Sequence, residues 1–447
     1  MTSSCLFFPD IIYVSDGKVR RADIVVEGGY IAKITDMEEI DGNSSLASCH
    51  ASFVIPGVID EHVHTREPGL THKGDLSSET HAAAAGGVTT IMDMPNVVPQ
   101  TTNLEALAER QTLGREHAFV NYSFYFGATN TNAHLLPLLD PKTVPAVKLF
   151  MGSSTGGMLV DGGEALEDVF RLSPLPIMTH CEDSGIIARN MQWAQEHYGD
   201  DPDVCHHPEI RSREACIRSS RHAAELAQRY GKQLHIAHIT TADELALATE
   251  ASPSHPARIT LEACVPHLLF CEEDYATLGT RIKCNPAVKT KADRDALRAA
   301  LTDGRITTIA TDHAPHLLTE KQGGCKRAAS GMPMVQFSLT AMMELVEADV
   351  LTLPRLVQLM CHNPADLFHI EGRGYIREGM KADLVLLQRE AWTLDTSRIV
   401  SRCGWSPLEG RSFQWQVAQT YCNGRLIYRD GKFAAEDNTH AQALRFN

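Results

Sequence analysis

Twelve cysteines run from Cys5 to Cys422, yet no Cys-x-x-Cys pair occurs among them. Scattered thiols of this kind fit reduced, buried side chains in a cytosol better than a disulfide framework. No apolar run of about 18 residues is present, and no basic segment precedes an apolar stretch at the start, which argues against membrane spanning and secretion. Positive charge is in short supply too. Lys and Arg total 41 against 56 for Asp and Glu, a formal net charge of −15. That balance speaks against a nucleic-acid or anionic-membrane partner, since both need a basic field. An anionic small molecule would therefore need a locally positive pocket. The central part also lacks low-complexity tracts and charge blocks, although Thr319 to Ser330, with Gly323-Gly324, reads as a mobile loop.

A chain of 447 residues can bury a large core. Its two ends read alike. Ile11-Ile-Tyr-Val-Ser-Asp16-Gly17 and Ala22-Asp-Ile-Val-Val near the start are echoed by Ala382-Asp-Leu-Val-Leu and Arg425-Leu-Ile-Tyr-Arg-Asp430-Gly431 near the end. Short strands broken by Asp-Gly turns are hairpin signals. Residues 1–54 and 372–447 are therefore expected to share a small β-sandwich-like domain. The middle, 55–371, alternates apolar strand patterns with amphipathic helix patterns, as a parallel sheet wound with helices requires. Eight strands are expected, at Gly57–His64, Val88–Met94, Val120–Phe126, Ala146–Phe150, Ile177–His180, Gln233–His238, Ile259–Cys264 and Ile306–Asp312. Eight such units suggest an α/β fold of the closed (β/α)8 kind, a TIM barrel. Active sites in that fold lie at the C-terminal ends of the strands.

Those ends carry the chemistry. Asp60-Glu-His62-Val-His64-Thr-Arg66 closes the first apolar strand, and residues two apart on a strand share a face. His180 ends the fifth strand, His238 the sixth and Asp312 the eighth. Four imidazoles and a carboxylate at one barrel end suit Zn²⁺, and open coordination positions mark a catalytic site. Asp60 is expected to orient a ligand from behind. His206-His207-Pro-Glu lies in a loop and reads as structural. Lys148 sits alone in Pro145-Ala-Val-Lys-Leu-Phe-Met. Buried beside dications, its amine should lose its proton and can take up carbon dioxide, giving a carbamate able to bridge two metals.

These residues resemble the amidohydrolase superfamily and, within it, the dihydroorotases. The resemblance rests on Val58 to Gly69 with its Arg66-Glu-Pro-Gly continuation, on Ala82-Ala-Ala-Ala-Gly-Gly-Val-Thr-Thr followed by Met94-Pro-Asn96, on His180 and His238, and on Asp312-His-Ala-Pro-His316. It implies that His62 and His64 hold one zinc with Asp312, that His180 and His238 hold a second, and that a strand-four group bridges them. Some relatives carry an acid near that strand end, whereas this chain offers Lys148. The implied reaction is the reversible hydrolysis of dihydroorotate to N-carbamoyl-L-aspartate in de novo pyrimidine biosynthesis. The two zinc ions would provide the nucleophile and polarise the ring amide, and Asp312 would carry the proton.

The substrate's carboxylate would meet the planar fork of Arg66. The resemblance places Asn96 and His316 beside it and Asn285 against the ring. Gly331-Met-Pro333 resembles a backbone clamp on the pyrimidine edge, although Met334 stands where relatives often have glycine. Two other functions compete: a hydantoinase- or allantoinase-type cyclic amidase, whose substrates lack that carboxylate, and a non-catalytic scaffold, which would usually have lost several ligands. A cytoplasmic homodimer acting on a small molecule is the expected setting.

Overall fold

The structure is a computed structural model and describes residues 5–40, 52–152, 158–250, 252, 256–435 and 437–447. The chain opens with β1 (Cys5–Ser15), β2 (Lys18–Glu27) and β3 (Tyr30–Ile40), followed by β4 (Ser52–Pro56). Asp16-Gly17 and Gly28-Gly29 make the two reversals, all four with positive φ. A two-residue hairpin demands that conformation, and these residues tolerate it.

The barrel follows. Its strands are β5 (Val58–Val63), β6 (Val88–Asp93), β7 (Asn121–Phe124), β8 (Phe126–Gly127), β9 (Val147–Met151), β10 (Ile177–Cys181), β11 (Leu234–Ile236), β12 (Ile259–Cys264) and β13 (Thr308–Ala310). Every residue in them is buried. Pairing is parallel throughout, as expected of a sheet covered on both faces. The third expected strand is split into β7 and β8. At Tyr125 the chain passes from one ladder to the next, while its hydroxyl donates to the Glu61 carbonyl at 2.9 Å inside the barrel. Counting that split strand once, eight positions close the ring. The seam is a parallel bridge between Val63 and His313, and the His64 N–H donates to the His313 carbonyl at 2.8 Å. The (β/α)8 architecture read from the sequence is the one observed.

The terminal strands β14 (Leu384–Thr393), β15 (Ser412–Cys422), β16 (Arg425–Arg429) and β17 (Lys432–Phe433) complete a second sheet. Its order is β17-β16-β15-β14-β4-β1-β2-β3. The strands from both ends make one continuous ladder, because β4 pairs with β14 on one side and β1 on the other. Beyond β17 the chain leaves this sheet. Ala443 bridges Tyr122, and Leu444 and Phe446 pack with Ile59 and Met92 of the barrel.

The helix Leu76–Ala85 links the sheet to the barrel. It starts at Asp75, whose side chain accepts from the Ser78 N–H at 2.7 Å, and buries Ala82 to Ala85. Small side chains let the terminal sheet come close: Thr420 donates to the Ala84 carbonyl at 2.8 Å. A Cβ at Gly86 would lie 2.4 Å from the Gln336 carbonyl oxygen.

Candidate active site

The C-terminal ends of the barrel strands open into a cavity of about 310 Å³. His62, His64, Arg66, Asn96, His180, His238, Asn285, Asp312 and His316 all line it. Lys148 lies beneath, fully buried in β9. The fold thus gathers the candidate residues read from the sequence around one cavity. The route is not strand alternation alone, since β5 ends at Val63 and Arg66 lies beyond it. Arg66, His238 and Asp312 take φ values of 76°, 35° and 47°. Such angles are uncommon outside glycine and collect at functional sites.

Asp312 Oδ1 lies 3.0 Å from His64 Nε2 and 3.4 Å from His62 Nε2. Burial alone would raise its pKa, but His62 and His64 hold the carboxyl well below the usual range. Across the floor His180 Nδ1 is 3.0 Å from His238 Nε2. The His62 and His238 rings are 5.2 Å apart, which joins the two groups. Burial pushes His238 well below the ordinary imidazole pKa and His64 down to about 4, so both are neutral and keep a lone pair for a cation. Among the buried atoms here without a hydrogen-bond partner are His238 Nδ1 and Lys148 Nζ. Lys148 is also held below the usual lysine pKa by burial, and its amine lies 5.3 Å from the Phe150 ring centre. A buried amine without a partner under five candidate ligands fits a metal centre with imidazole and carboxylate donors.

Two supporting residues, Glu262 and Glu182, escaped the sequence reading. Glu262 Oε1 is 2.8 Å from His62 Nδ1. Glu182 Oε2 is 3.0 Å from His180 Nε2 and also accepts from Arg211. Burial opposes its ionisation, yet Arg211 and His180 bring its pKa down to about 2. Asn96 Oδ1 lies 2.7 Å from His64 Nδ1. Three of the four imidazoles, His62, His64 and His180, are thus oriented by a partner on the far nitrogen. A usable signal existed for Glu262, a lone acid in the apolar Ile259-Thr-Leu-Glu-Ala-Cys, just as Lys148 was a lone base. Asp60 acts on the ligands from behind, through the backbone. It accepts from the Thr311 N–H at 3.1 Å, the Thr311 hydroxyl at 2.7 Å and the His62 N–H at 3.2 Å. It therefore pins β5 to the strand end that carries Asp312 and touches no ligand side chain.

The opposite wall is cationic. Arg66 Nε donates to the Pro315 carbonyl at 3.1 Å and Nη2 lies 3.1 Å from His316 Nε2. Lys73, a third residue missing from the sequence reading, lines the same wall. Asn285 Oδ1 is 3.2 Å from His207 Nε2, which also lies 2.9 Å from the Cys284 carbonyl, so His207 is a buried support for the Asn285 turn. Ser330 and Gly331 line the cavity, and a Cβ at Gly331 would lie 2.7 Å from the Ala314 carbonyl oxygen. The Thr319–Ser330 segment is tied rather than loose. The buried Lys321 amine donates to the carbonyls of Lys283, Ala329 and Gly331 at 3.0, 2.7 and 2.7 Å. Asp201 holds the backbone N–H groups of Gly324, Lys326 and Arg327.

A model of the amidohydrolase family matches residues 53–427, and the chain belongs to that family. The dihydroorotase of Lactiplantibacillus plantarum is 32% identical over 419 residues, covering 92% of this chain and 96% of that one. The dihydroorotase of Methanosphaera stadtmanae is 28% identical over 430 residues, covering 95% and 97%. Among solved structures, the L-hydantoinase (dihydropyrimidinase) from Arthrobacter aurescens superposes with a TM-score of 0.88 at 26% identity, covering 98% of this chain and 99% of that one. The chain is accordingly an enzyme, a hydrolase acting on cyclic amides. The eleven described cysteines are free thiols. No helix among the described residues is long and apolar enough to cross a membrane.

Proposed function

We propose that the protein interconverts dihydroorotate and N-carbamoyl-L-aspartate, the ring-opening step of de novo pyrimidine synthesis. The observation that carries this reading is Arg66, a buried guanidinium in the same cavity as His62, His64 and Asp312 in a chain of net charge −15. A planar two-donor fork suits a carboxylate, and the dihydroorotase relatives support the assignment. The metal centre proposed with it holds two Zn²⁺, one on His62, His64 and Asp312, the other on His180 and His238. Lys148, carbamylated by carbon dioxide, would complete the donor set for both ions. Zinc bound there supplies a nucleophile at neutral pH and polarises the amide carbonyl.

The chain's own groups do the rest. Asp312, kept ionised by its two histidines, takes the proton of the attacking water and passes it to the ring nitrogen as the carbon–nitrogen bond breaks. Arg66, Asn96 and His316 hold the carboxylate side of the ring and Asn285 its amide edge. The chemistry is proposed to reside in 55–371, with 1–54 and 372–447 as the accessory unit, in a cytosolic homodimer.

The structural likeness to an L-hydantoinase (dihydropyrimidinase) supports a second reading, a cyclic amidase for uncharged rings. Comparing turnover of dihydroorotate, dihydrouracil and hydantoin by the zinc-loaded protein separates the two. Faster turnover of dihydroorotate is expected, and a preference for the uncharged rings would overturn the proposal.

A further inference from the structure

Both ring nitrogens of His316 face cations. Nε2 lies 3.1 Å from Arg66 Nη2, and Nδ1 lies 3.1 Å from Lys73 Nζ. Guanidinium and ammonium groups only donate, whereas a neutral imidazole has one lone pair. One of the two contacts therefore sets donor against donor. Protonating the ring does not relieve this, because burial, then Arg66, Lys73 and Lys321, disfavour a charged imidazole and outweigh the Ser330 backbone, which favours it.

The two cations differ in freedom. Arg66 is a rigid fork already anchored at Nε by the Pro315 carbonyl. Lys73 carries three rotatable N–H groups. It is seated by a turn, its N–H donating to the Leu70 carbonyl at 3.1 Å, and by Glu320 Oε1 at 2.9 Å. The ammonium can turn an N–H onto a lone pair. The fork cannot withdraw.

We infer that Lys73 is a positioning residue: it donates to His316 Nδ1, which fixes the ring proton on Nε2 and leaves Nε2–H and Arg66 Nη2–H as paired donors for an anionic group on the substrate. The inference rests on the carboxylate-bearing substrate proposed above. It explains why two donors are held 3.1 Å apart at a cavity wall. They oppose each other when alone and are both satisfied when a carboxylate enters between them. Glu320 completes the arrangement from behind. Its Oε2 accepts from the Leu317 N–H at 2.8 Å and lies 3.6 Å from His316 Nδ1, so it is the acceptor in waiting should Lys73 be removed.

The test combines nitrogen-15 NMR of histidine-labelled enzyme with steady-state kinetics, the His316 signals being assigned by their loss in His316→Gln. Wild type should show a neutral ring protonated on Nε2. In Lys73→Met, Glu320 should draw the proton to Nδ1, and KM for dihydroorotate should rise about tenfold, more than kcat falls. Lys73→Arg should restore both the tautomer and KM, while KM for dihydrouracil stays level in all three. A ring protonated on Nδ1 in wild type, or an unchanged tautomer and KM in Lys73→Met, overturns the inference whatever the substrate. Wild type that binds dihydroorotate no better than dihydrouracil overturns the carboxylate reading itself, whichever tautomer is seen.

Discussion

Glu262 Oε1 lies 2.8 Å from His62 Nδ1, which turns His62 Nε2 toward Asp312. Partners that fix a ligating imidazole are typically worth about 10- to 100-fold in metal affinity or activity. Glu262→Gln should therefore fold normally but release zinc to a competing chelator more readily by that margin. Unchanged metal retention would show that His62 needs no such support.

Lys148 is fully buried and its amine has no hydrogen-bond partner. Lys148→Ala should lose the two-zinc stoichiometry by elemental analysis, and short added carboxylic acids should restore part of the activity. An unmodified amine in active, fully loaded enzyme, seen by intact mass spectrometry or diffraction, would remove the carbamate from the proposal.

Asp312→Asn tests the proton carrier. General acid–base groups typically contribute about 10²- to 10⁴-fold, and kcat should drop within that range while much of the metal stays bound. Near-normal turnover would give the task to another residue.

Arg66→Ala should lower kcat/KM for dihydroorotate at least ~10-fold, since a charge-assisted contact contributes about 1.5 to 3 kcal/mol. Dihydrouracil should barely respond. Equal slowing of both substrates would mean that Arg66 shapes the pocket without reading a carboxylate.

Asp201 offers a pH test away from the metal centre. Burial raises its pKa, but Arg327 and the N–H groups of Gly324, Lys326 and Arg327 together lower it below the ordinary aspartate value. A depressed carboxyl contributes stability that is present above the unfolded-state pKa, about 4, and fades as pH falls through the folded value. Wild type should lose thermal stability below about pH 4 more steeply than Asp201→Asn. Parallel profiles would show that this tie contributes nothing measurable.

The barrel was legible because its strands are buried on both faces and so read as largely apolar runs, four of which end in histidine or aspartate. What escaped lies inside those runs or across the ring. Glu262 sits within an apolar run, short of its end at Cys264. Asp60 shares the face that alternation assigns it, yet its partner Thr311 comes from the far side of the seam, a neighbour that only closure creates. Lys73 lies in a turn with no periodicity to mark it. Thr319–Ser330 looked loose from its glycines, but the carbonyls that hold Lys321 depend on the folded path of the chain.

The short strand β4 carries a consequence for how the molecule comes into being. Phe53 pairs with Leu387 and Ile55 with Val385, partners separated by the entire barrel in sequence. While the chain is being synthesised, the β1–β3 hairpins can form early, but one edge of β4, with its Phe-Val-Ile run, has no partner until β14 emerges. Contacts so distant in sequence slow folding, and an open apolar edge strand invites pairing with another chain. Nascent chains stalled before β14 should therefore be more prone to aggregate than the finished protein, and a chaperone that shields that edge should raise the yield of folded enzyme.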